Sequence, residues 1–332
     1  MAKAKKFFIK TKNQSYYLKC MASKLNYKVA AYITAYQDIE ALESTINAIR
    51  KQCYAISEIF IVDNSKEQVI FENKDKNITV EFQPENIGVD GGLNIALKWA
   101  IEKKYDFLWL FDQDSQPSAD SLKVLLAKYQ ELSAKYNIGI LSPQILDINT
   151  SQEFPGYVFQ DYKFVPKTGY AQAKDYYTCD GVITSGSLVN LNAAKSVELP
   201  KGNLFLDAVD YAYCMNLKSQ GYEIVVVKNI IMQHRLGNYS KVKDRLSKID
   251  NEILTFTCSP SRYYYACRNH TYFETRHSNK RMLHFCIVYR LKCLIDMIIR
   301  VIRYEPDLVL LKVWACTFGT FDGFRGRLGK TW

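Results

Sequence analysis

Short apolar runs alternate with helical patterns along the first third of the chain. Four runs of four to six mostly apolar residues predict buried strands. They lie at 29–34, 59–62, 78–82 and 107–111. Residues 39–52 and 93–103 instead place apolar side chains about every third or fourth position, so each segment predicts a helix. Strands that alternate with helices indicate an α/β fold with a mainly parallel sheet covered by helices on both faces.

The pattern changes after about residue 140. Two shorter apolar runs, 138–141 and 224–227, predict strands, and residues 211–220 predict a helix that ends before Gly221. Beyond about residue 240 we expect only helices, rich in aromatic and basic residues. The chain is therefore predicted to have three parts: a basic arm at 1–27, an α/β domain at 28–240 and a helical region at 241–332.

The helix predicted over residues 283–303 carries one charged stripe in an otherwise apolar sequence. Its members fall within about 80° of one another at 100° per residue. They are Lys292, Asp296, Arg300 and Arg303. Such a helix either packs against its own domain or lies in the headgroup layer of a membrane with its basic side chains reaching outward. The sequence leaves both interpretations open. The basic ends of the chain and its many Tyr favour the membrane interpretation.

The positive charge of the chain is concentrated at its two ends. Residues 1–28 hold eight Lys and no acidic residue, and residues 262–332 hold thirteen Lys or Arg against five acidic residues. Because the formal net charge is +10, residues 29–261 are net acidic. An acidic centre does not suit nucleic-acid binding, whereas basic ends suit an anionic membrane surface. We therefore predict such a surface as a partner, and no nucleic acid.

Cysteine usage and hydropathy predict where the protein works. Nine scattered Cys without a CxxC pair favour reduced thiols over a disulfide framework or a zinc site. The first apolar run, at 7–9, is too short for the core of a signal peptide, and no run of about 18 uncharged apolar residues would span a membrane. We expect a cytoplasmic protein that is held peripherally on the inner face of the cell membrane.

Polar residues follow the four predicted strands at the edge where an open α/β sheet binds its ligands. They are Thr34 and Tyr36 after the first strand, Asp63 after the second, Asn86, Gly88 and Asn94 after the third, and Asp112 and Asp114 after the fourth. Because the carboxyl ends of parallel strands meet at one edge, we expect these residues to share a crevice.

Asp112 and Asp114 form a pair of carboxylates directly after a buried strand. Hard oxygen ligands of this kind suit Mg²⁺ or Mn²⁺, which often share their coordination with substrate phosphates. Taken alone, the pair could equally be an ordinary acidic surface. His234 stands in an apolar neighbourhood and is either a structural residue or a third metal ligand.

Asp63 and the glycines after the third strand each allow two interpretations. Asp63 could cap a helix, or its carboxylate could accept the imide N–H of uracil or thymine. Gly88, Gly91 and Gly92 could form a flexible turn, or they could let the backbone approach a nucleotide closely. They match neither of the common phosphate-binding glycine motifs.

Asp207 and Asp210 are three residues apart and would share a face at the start of a helix. Carboxylates at that position often compensate the helix dipole or cap the first turn. The functional alternative is a general base that faces the crevice.

The ordered set of these residues resembles the inverting GT-A glycosyltransferases of family 2. It is most similar to the branch of bacterial rhamnosyltransferases and related galactofuranosyltransferases. The resemblance covers about residues 28–240, including the segment 179–187, and returns at 321–329. It implies a GT-A fold, which is Rossmann-like, followed by a C-terminal helical region that associates with membranes.

The resemblance also implies a role for each matched residue. Asp63 would pair with the base of a nucleotide-diphosphate sugar, and Asp210 would take the proton from an acceptor hydroxyl in a single inverting displacement. Mg²⁺ or Mn²⁺ would be held against the diphosphate by Asp112, Asp114 and His234. Thr34, Tyr36, Asn86, Gly88, Asn94 and Asp112 would contact the donor, and Thr184, Ser185, Gly186 and Asp207 would lie on the acceptor side.

The branch favours dTDP-rhamnose as the donor. A lipid-linked or polysaccharide acceptor in the synthesis of O-antigen, capsule or cell-wall polymer is implied with it. Two alternatives stay open. The first is a transferase of the same fold that uses a UDP-sugar such as UDP-galactofuranose, and the second is a non-enzymatic basic adaptor that binds membrane or nucleic acid through its ends.

Overall fold

The computed structural model describes residues 25–69, 77–235, 237–246 and 252–332. Its strands are β1 (Val29–Ala35), β2 (Glu58–Asp63), β3 (Ile78–Phe82), β4 (Phe107–Asp112), β5 (Ser115–Pro117), β6 (Ile138–Asp147), β7 (Glu153–Phe154), β8 (Tyr157–Gln160), β9 (Lys163–Pro166), β10 (Tyr176–Cys179), β11 (Leu188–Asn190), β12 (Glu223–His234), β13 (Asn238–Lys243) and β14 (Glu252–Thr257). Its α-helices are α1 (Ile39–Arg50), α2 (Gly88–Glu102), α3 (Ser121–Leu132), α4 (Leu191–Ala194), α5 (Val209–Ser219), α6 (Pro260–His277), α7 (Leu283–Tyr304) and α8 (Val309–Arg325).

Ten strands form one mixed sheet in the order β10-β12-β6-β11-β4-β1-β2-β3, with β5 paired to β12 and β7 to β6. The strands β4, β1, β2 and β3 are parallel neighbours, as predicted. The expectation of a mainly parallel sheet is wrong for the other half, where β11 is antiparallel to β4 and β6, and β10 to β12. The chain enters β11 beside the carboxyl end of β4, so β11 has to run back along it.

Helices cover both faces of the sheet, which confirms that part of the prediction. In β1, Val29, Ala31 and Ile33 pack in one core layer with α1 and α3. Ala30 and Tyr32 point to the opposite layer, which contains α2 and α5. Both layers are closed by fully buried aliphatic and aromatic side chains, so the carboxyl ends of the strands rest on a rigid support.

Three elements differ from the prediction. The strands expected at 138–141 and 224–227 are longer, because β6 continues through the buried polar residues Ser142 and Gln144 and β12 resumes after a shift of register. Helix α2 begins at Gly88, ahead of the expected start, so the glycine segment belongs to its first turn. The expectation of no strands after residue 240 is also wrong, since β13 and β14 form a hairpin and the predicted boundary falls within β13.

The predicted arm at 1–27 lies outside the described residues except for its last three. Of these, Leu25 and Tyr27 pack against the core, and the backbone N–H of Tyr27 donates to the hydroxyl of Tyr54. These positions therefore belong to the α/β domain.

The last three helices form a unit that packs onto the sheet domain. Helix α8 approaches α6 closely at Gly319 and Gly323, where an added Cβ would lie 2.3 Å from the carbonyl oxygen of Tyr264 and 2.4 Å from that of Arg268. The helix predicted at 283–303 is confirmed as α7. Within the part of the chain that the structure describes, no helix combines the length and the apolar character needed to cross a membrane.

Candidate active site

The register of the parallel strands gathers the polar residues that follow them. Thr34 pairs with Asp112 across β1 and β4, and Ala35 pairs with Asp63 across β1 and β2. Gln113, between the two carboxylates, joins the strand ends further: its side chain accepts from the backbone N–H of Tyr36 at 2.6 Å and donates to the carbonyl of Tyr36 at 2.9 Å. The structure thus brings the predicted residues of the first, second and fourth strands to one edge.

His234 meets the carboxylate pair because β12 pairs with β5, which follows Asp114 directly. Its Nε2 lies 3.6 Å from Oδ2 of Asp112, and its Nδ1 lies 3.3 Å from Oδ1 of Asp114. The ring is only 7% exposed, and its Nδ1 is a buried polar atom without a hydrogen bond to any described residue. The two ring nitrogens face different carboxylates, and among the described residues no three His, Cys, Asp or Glu side chains converge in a way that could hold a metal ion.

Ser185 orients the carboxylate of Asp112 through hydrogen bonds from the buried side of the site. Its hydroxyl donates to Oδ2 of Asp112 at 2.5 Å and accepts from the backbone N–H of Asp112 at 3.3 Å and from the hydroxyl of Ser115 at 3.2 Å. Ser185 is fully buried and Thr184 nearly so. At Gly186, with φ of +78°, an added Cβ would lie 2.6 Å from Sδ of Met232. The segment predicted for the acceptor side therefore forms the wall behind the carboxylates.

Asp114 is the more enclosed of the two carboxylates. Burial raises the pKa of its carboxyl above the ordinary value, although His234 and Arg235 oppose the rise. Arg235 lies 3.4 Å from Asp114 and 3.5 Å from Asp38, so it links this edge to the cap of α1. Sequence reasoning missed Arg235, although its position directly after His234 was a usable signal.

Asp63 is almost completely buried, and its carboxylate already accepts hydrogen bonds from the protein. Its carboxylate accepts the backbone N–H of Ser65 at 3.0 Å and of Val69 at 2.7 Å, so it shapes the loop that follows β2. This loop borders a cavity of about 410 Å³, whose lining residues are Gln37, Ile39, Lys66, Glu67, Gln68 and Val69. The predicted contact of Asp63 with a nucleobase stays a prediction, and the structure adds a loop that Asp63 organises.

The glycine segment fits against protein backbone. At Gly88, with φ of +71°, an added Cβ would lie 2.2 Å from the carbonyl oxygen of Phe205, and at Gly92 it would lie 2.5 Å from the hydroxyl of Tyr32. Asn86 accepts the backbone N–H of Gly88 at 3.0 Å, and the side chain of Asn94 donates to the carbonyl of Pro200. Asn86 and Asn94 line a second cavity of about 480 Å³ beside the basic side chains Lys201 and Lys330.

Asp210 lies in the first turn of α5 and is partly buried. Burial raises the pKa of its carboxyl to about 7, and the negative charges of Asp207 and Asp112 add to this effect, while the backbone N–H of Tyr211 at 3.1 Å opposes it. Asp210 therefore lies in the electrostatic field of Asp112, at the carboxyl end of β4. A carboxyl group with a pKa near neutrality is suited to accept a proton at physiological pH.

Asp207 pairs with an arginine that sequence reasoning missed. Arg262, in the first turn of α6, lies 3.6 Å from Asp207, and burial raises the pKa of Asp207 although Arg262 opposes the rise. The pKa of Arg262 is raised most by Asp207 and further by Asp112 and Asp210, so its guanidinium lies in the electrostatic field of these three carboxylates. Arg262 keeps 47% of its side chain exposed and can meet a ligand.

This fold and this acidic edge define a glycosyltransferase with a mixed α/β, GT-A-like architecture. Residues 31–194 match the model of the family described as Glycosyl transferase family 2, so the chain contains a domain of that family. The resemblance noted in the sequence is thereby confirmed. The alternative of a non-enzymatic adaptor is wrong.

Two known proteins illustrate the relationship. The chain is 25% identical over 252 residues to the dTDP-rhamnosyl transferase RfbF of Shigella flexneri, which covers 74% of this chain and 79% of that one. A crystal structure of GalNAc-T7 with UDP, GalNAc and Mn²⁺ has a similar fold, with a TM-score of 0.53 and 15% identity over 63% of this chain. The chain spans 43% of the length of that protein, less than half.

Proposed function

We propose that the protein transfers rhamnose from dTDP-rhamnose to a saccharide hydroxyl with inversion at the anomeric carbon. The observation that carries this proposal is the position of Asp210 in the first turn of α5, where burial raises its pKa to about 7 and the negative charge of Asp112, at the carboxyl end of β4, adds to the rise. The similarity to the dTDP-rhamnosyl transferase RfbF supports rhamnose as the sugar and dTDP as its carrier.

The chain's own residues perform the proton transfer and hold the reactants. Asp210 would take the proton of the attacking hydroxyl, and one displacement from the face opposite the leaving group inverts the configuration. A positioned base contributes roughly 10²–10⁴ in rate. Arg262 keeps the charge of Asp207 compensated, so that the acidic cluster does not repel an anionic donor.

Asp112, Asp114 and His234 are the residues that would hold Mg²⁺ or Mn²⁺. Two carboxylates and an imidazole are donors of the right chemical kind for such an ion, although the three side chains do not converge on one point among the residues that the structure describes. The buried Nδ1 of His234 has no hydrogen-bond partner within that part of the chain. A bound cation would stabilise the negative charge that develops on the diphosphate leaving group. Ser185 would keep Asp112 in place for this task.

A panel of donors tests the transferase directly. The protein would be incubated with a bacterial extract of lipid-linked saccharides and with dTDP-rhamnose, UDP-galactofuranose or UDP-glucose, and the release of nucleoside diphosphate would be measured. We expect release from dTDP-rhamnose alone, dependent on the extract. Preferred release from UDP-galactofuranose would establish the alternative donor, and release from none would contradict the proposed function.

The proposed acceptor is a lipid-linked saccharide for O-antigen, capsule or cell-wall polymer, and the proposed location is the inner face of the cell membrane. Support comes from an apolar helix face on α7 and α8, whose exposed side chains recur at helical spacing. On α7 they are Leu283, Phe285, Ile287, Val288, Leu291, Ile295, Ile299 and Ile302, and on the linker and α8 they are Leu308, Leu310, Leu311, Trp314, Phe318 and Phe321. Monomeric proteins rarely expose so large an apolar surface without a function.

The charges of α7 are arranged differently from the sequence interpretation. Arg300 donates to the carbonyl of Phe256 and to the hydroxyl of Tyr263, and Arg303 pairs with Asp244. Two members of the predicted charged stripe are therefore turned toward the protein, and the apolar side of the helix faces outward.

Basic residues border the apolar helix face at one end. Helix α7 runs antiparallel to α6, because Arg300 meets Tyr263 and Arg290 meets Glu274. Since α8 is parallel to α6, α7 and α8 are antiparallel, and the start of α7 and the end of α8 are directed toward the same end of the helical unit. The exposed basic residues there are Lys280, Arg281, Arg325 and Arg327. An apolar face with a basic border is complementary to a bilayer that contains anionic lipid.

Vesicle sedimentation tests this membrane surface. The protein should sediment with vesicles that contain phosphatidylglycerol, more weakly at high salt, and the double variant Leu310→Glu/Trp314→Glu should stay in the supernatant. Ile231→Glu, at an exposed apolar position of β12, is the matched control and should sediment like the parent. Equal sedimentation with neutral vesicles would contradict the electrostatic contribution. A stable dimer that loses its association in the double variant would assign the face to a second copy.

A further inference from the structure

The segment Leu204–Ala208, which leads directly into the helix of Asp210, is strained. Phe205, Asp207 and Ala208 have φ angles of +65°, +61° and +59° although none of them is a glycine. The left-handed region costs such a residue about 1–2 kcal/mol, so three of the five residues need external support. The support has to come from neighbouring elements, because the segment has few hydrogen bonds of its own.

Helix α6 holds this segment through Asn269. The side-chain amide of Asn269 donates to the carbonyls of Leu204 and Asp207, each at 2.9 Å, and also to that of Leu206. Asn269 is fully buried, and its own carbonyl accepts from Nε of Arg268 at 2.8 Å, which fixes the orientation of the amide.

Arg268 extends the same support. It is fully buried, and its guanidinium donates to the carbonyl of Leu204 at 2.8 Å and to that of Gly329 at 2.6 Å. The backbone N–H of Gly329 in turn donates to the carbonyl of Asn203 at 2.7 Å. The helical region therefore contacts the segment through Arg268 on helix α6, and the residue directly before the segment through Gly329.

The start of α2 holds the segment from the other side. Asp90 accepts the backbone N–H of Leu204 at 2.8 Å, and the backbone N–H of Asp90 donates to the carbonyl of Phe205 at 3.3 Å. Only a glycine fits at Gly88, against the same carbonyl of Phe205. The segment is thus clamped between two elements that are far apart in the sequence.

We propose that Asn269 is a positioning residue, which holds the Leu204–Ala208 segment in the strained conformation that presents Asp210 to the acceptor hydroxyl. This rests on the proposed function, in which Asp210 is the base. Asn269 does not touch the reactants, so its loss should misplace the base while leaving the donor site intact. A displacement of about 1 Å at a reacting group can cost on the order of 10² in rate.

The test compares Asn269→Ala and the milder Asn269→Ser with Thr271→Val. Thr271 is equally buried in α6, where its hydroxyl accepts from Arg290 at 3.1 Å, away from the segment. We expect kcat to fall about 10- to 100-fold in Asn269→Ala and less in Asn269→Ser, with the Kd for dTDP-rhamnose unchanged. Thr271→Val should lose comparable thermal stability without the loss in kcat. Parent-like kcat in the Asn269 variants, or an equal loss in Thr271→Val, would overturn the proposal.

Two further measurements separate this proposal from the function on which it rests. Adding Ala208→Gly, which relieves a left-handed residue, should restore part of kcat in Asn269→Ala and none in Thr271→Val. Amide hydrogen exchange at residues 204–208 should be faster in Asn269→Ala without any substrate present. If the parent transfers no sugar, the proposed function fails, while unchanged exchange at these amides overturns the clamp itself.

Discussion

The edge of the sheet and the C-terminal helical unit contribute to the same site in different ways. The edge supplies Asp112, Asp114 and Asp210 within 100 residues of one another, each after or at the start of a regular element. The helical unit supplies Arg262 to the acidic cluster, and Asn269 to the segment before the base. The proposed reacting groups thus come from the sheet domain, while part of their proposed placement comes from the helical unit. That unit, like Asp210, lies outside the matched residues 31–194.

The residues of a site can therefore be recognised in a sequence while the residues that hold them in position cannot. The carboxylates follow a periodic pattern that topology converts into proximity. Arg262 and Asn269 are more than 50 residues away from the aspartates that they serve, on a helix whose sequence pattern reports only its packing. Substitutions in the two regions should therefore have different kinetic signatures.

The largest effect is expected at the edge. Asp210→Asn keeps the shape of the side chain but cannot accept a proton, so kcat should fall by about 10²–10⁴ with the donor Kd unchanged. Product formation from dTDP-rhamnose and calorimetric donor binding measure the two quantities. Transfer at the parent rate would remove Asp210 from the mechanism.

A smaller effect is expected at the buried wall behind the edge. Ser185→Ala removes the hydrogen bonds that orient Asp112 and should weaken metal-dependent activity about 10- to 100-fold. The control is Ser187→Ala, because Ser187 is equally buried and donates to the carbonyl of Ile183 at 2.7 Å. If Ser185→Ala and Ser187→Ala lose activity to the same extent, the buried segment affects activity only by stabilising the fold, and not by orienting Asp112.

The smallest effect is expected in the pH dependence. Asp210 must be deprotonated to act, so kcat should rise with pH through about 7 and level off above it. Asp207→Asn removes a negative charge that raises the pKa of Asp210, which should move the rise to lower pH by less than about one unit. Arg262→Gln removes a positive charge and should move it to higher pH. The pH profiles of kcat for the parent and both variants measure these shifts, and shifts of the same sign would contradict the arrangement.

The sequence predicts the local part of this molecule well. The four strands at 29–34, 59–62, 78–82 and 107–111 are present with bounds within about one residue, because continuous apolar runs in a covered sheet are unambiguous. Helix α7 is found because its charged positions recur at helical spacing in an otherwise apolar sequence. The crevice at the strand ends follows from the fold class, so the positions of Asp112 and Asp114 after a buried strand are enough to predict that they share it.

Tertiary contacts account for what the sequence does not predict. The resemblance predicts Ser185 on the acceptor side, but its buried hydrogen bond to Asp112, 73 residues earlier, leaves no periodic trace in the sequence. The sequence allows either a flexible turn or the close approach of a nucleotide at Gly88, and it does not predict that the missing Cβ leaves room for the carbonyl of Phe205. The strained segment at 204–208 has no glycine to signal it, because contacts from α2 and α6 stabilise it instead.

Calorimetric binding of dTDP-rhamnose, with Mg²⁺ or Mn²⁺ and again with a chelator, tests most directly whether the acidic edge is a metal-dependent nucleotide-sugar site. UDP-galactofuranose and UDP-glucose serve as competing donors, and Asp114→Ala serves as the control. We expect tight binding of dTDP-rhamnose that requires the metal and is lost in Asp114→Ala. Binding that survives both the chelator and Asp114→Ala would contradict the metal-dependent site.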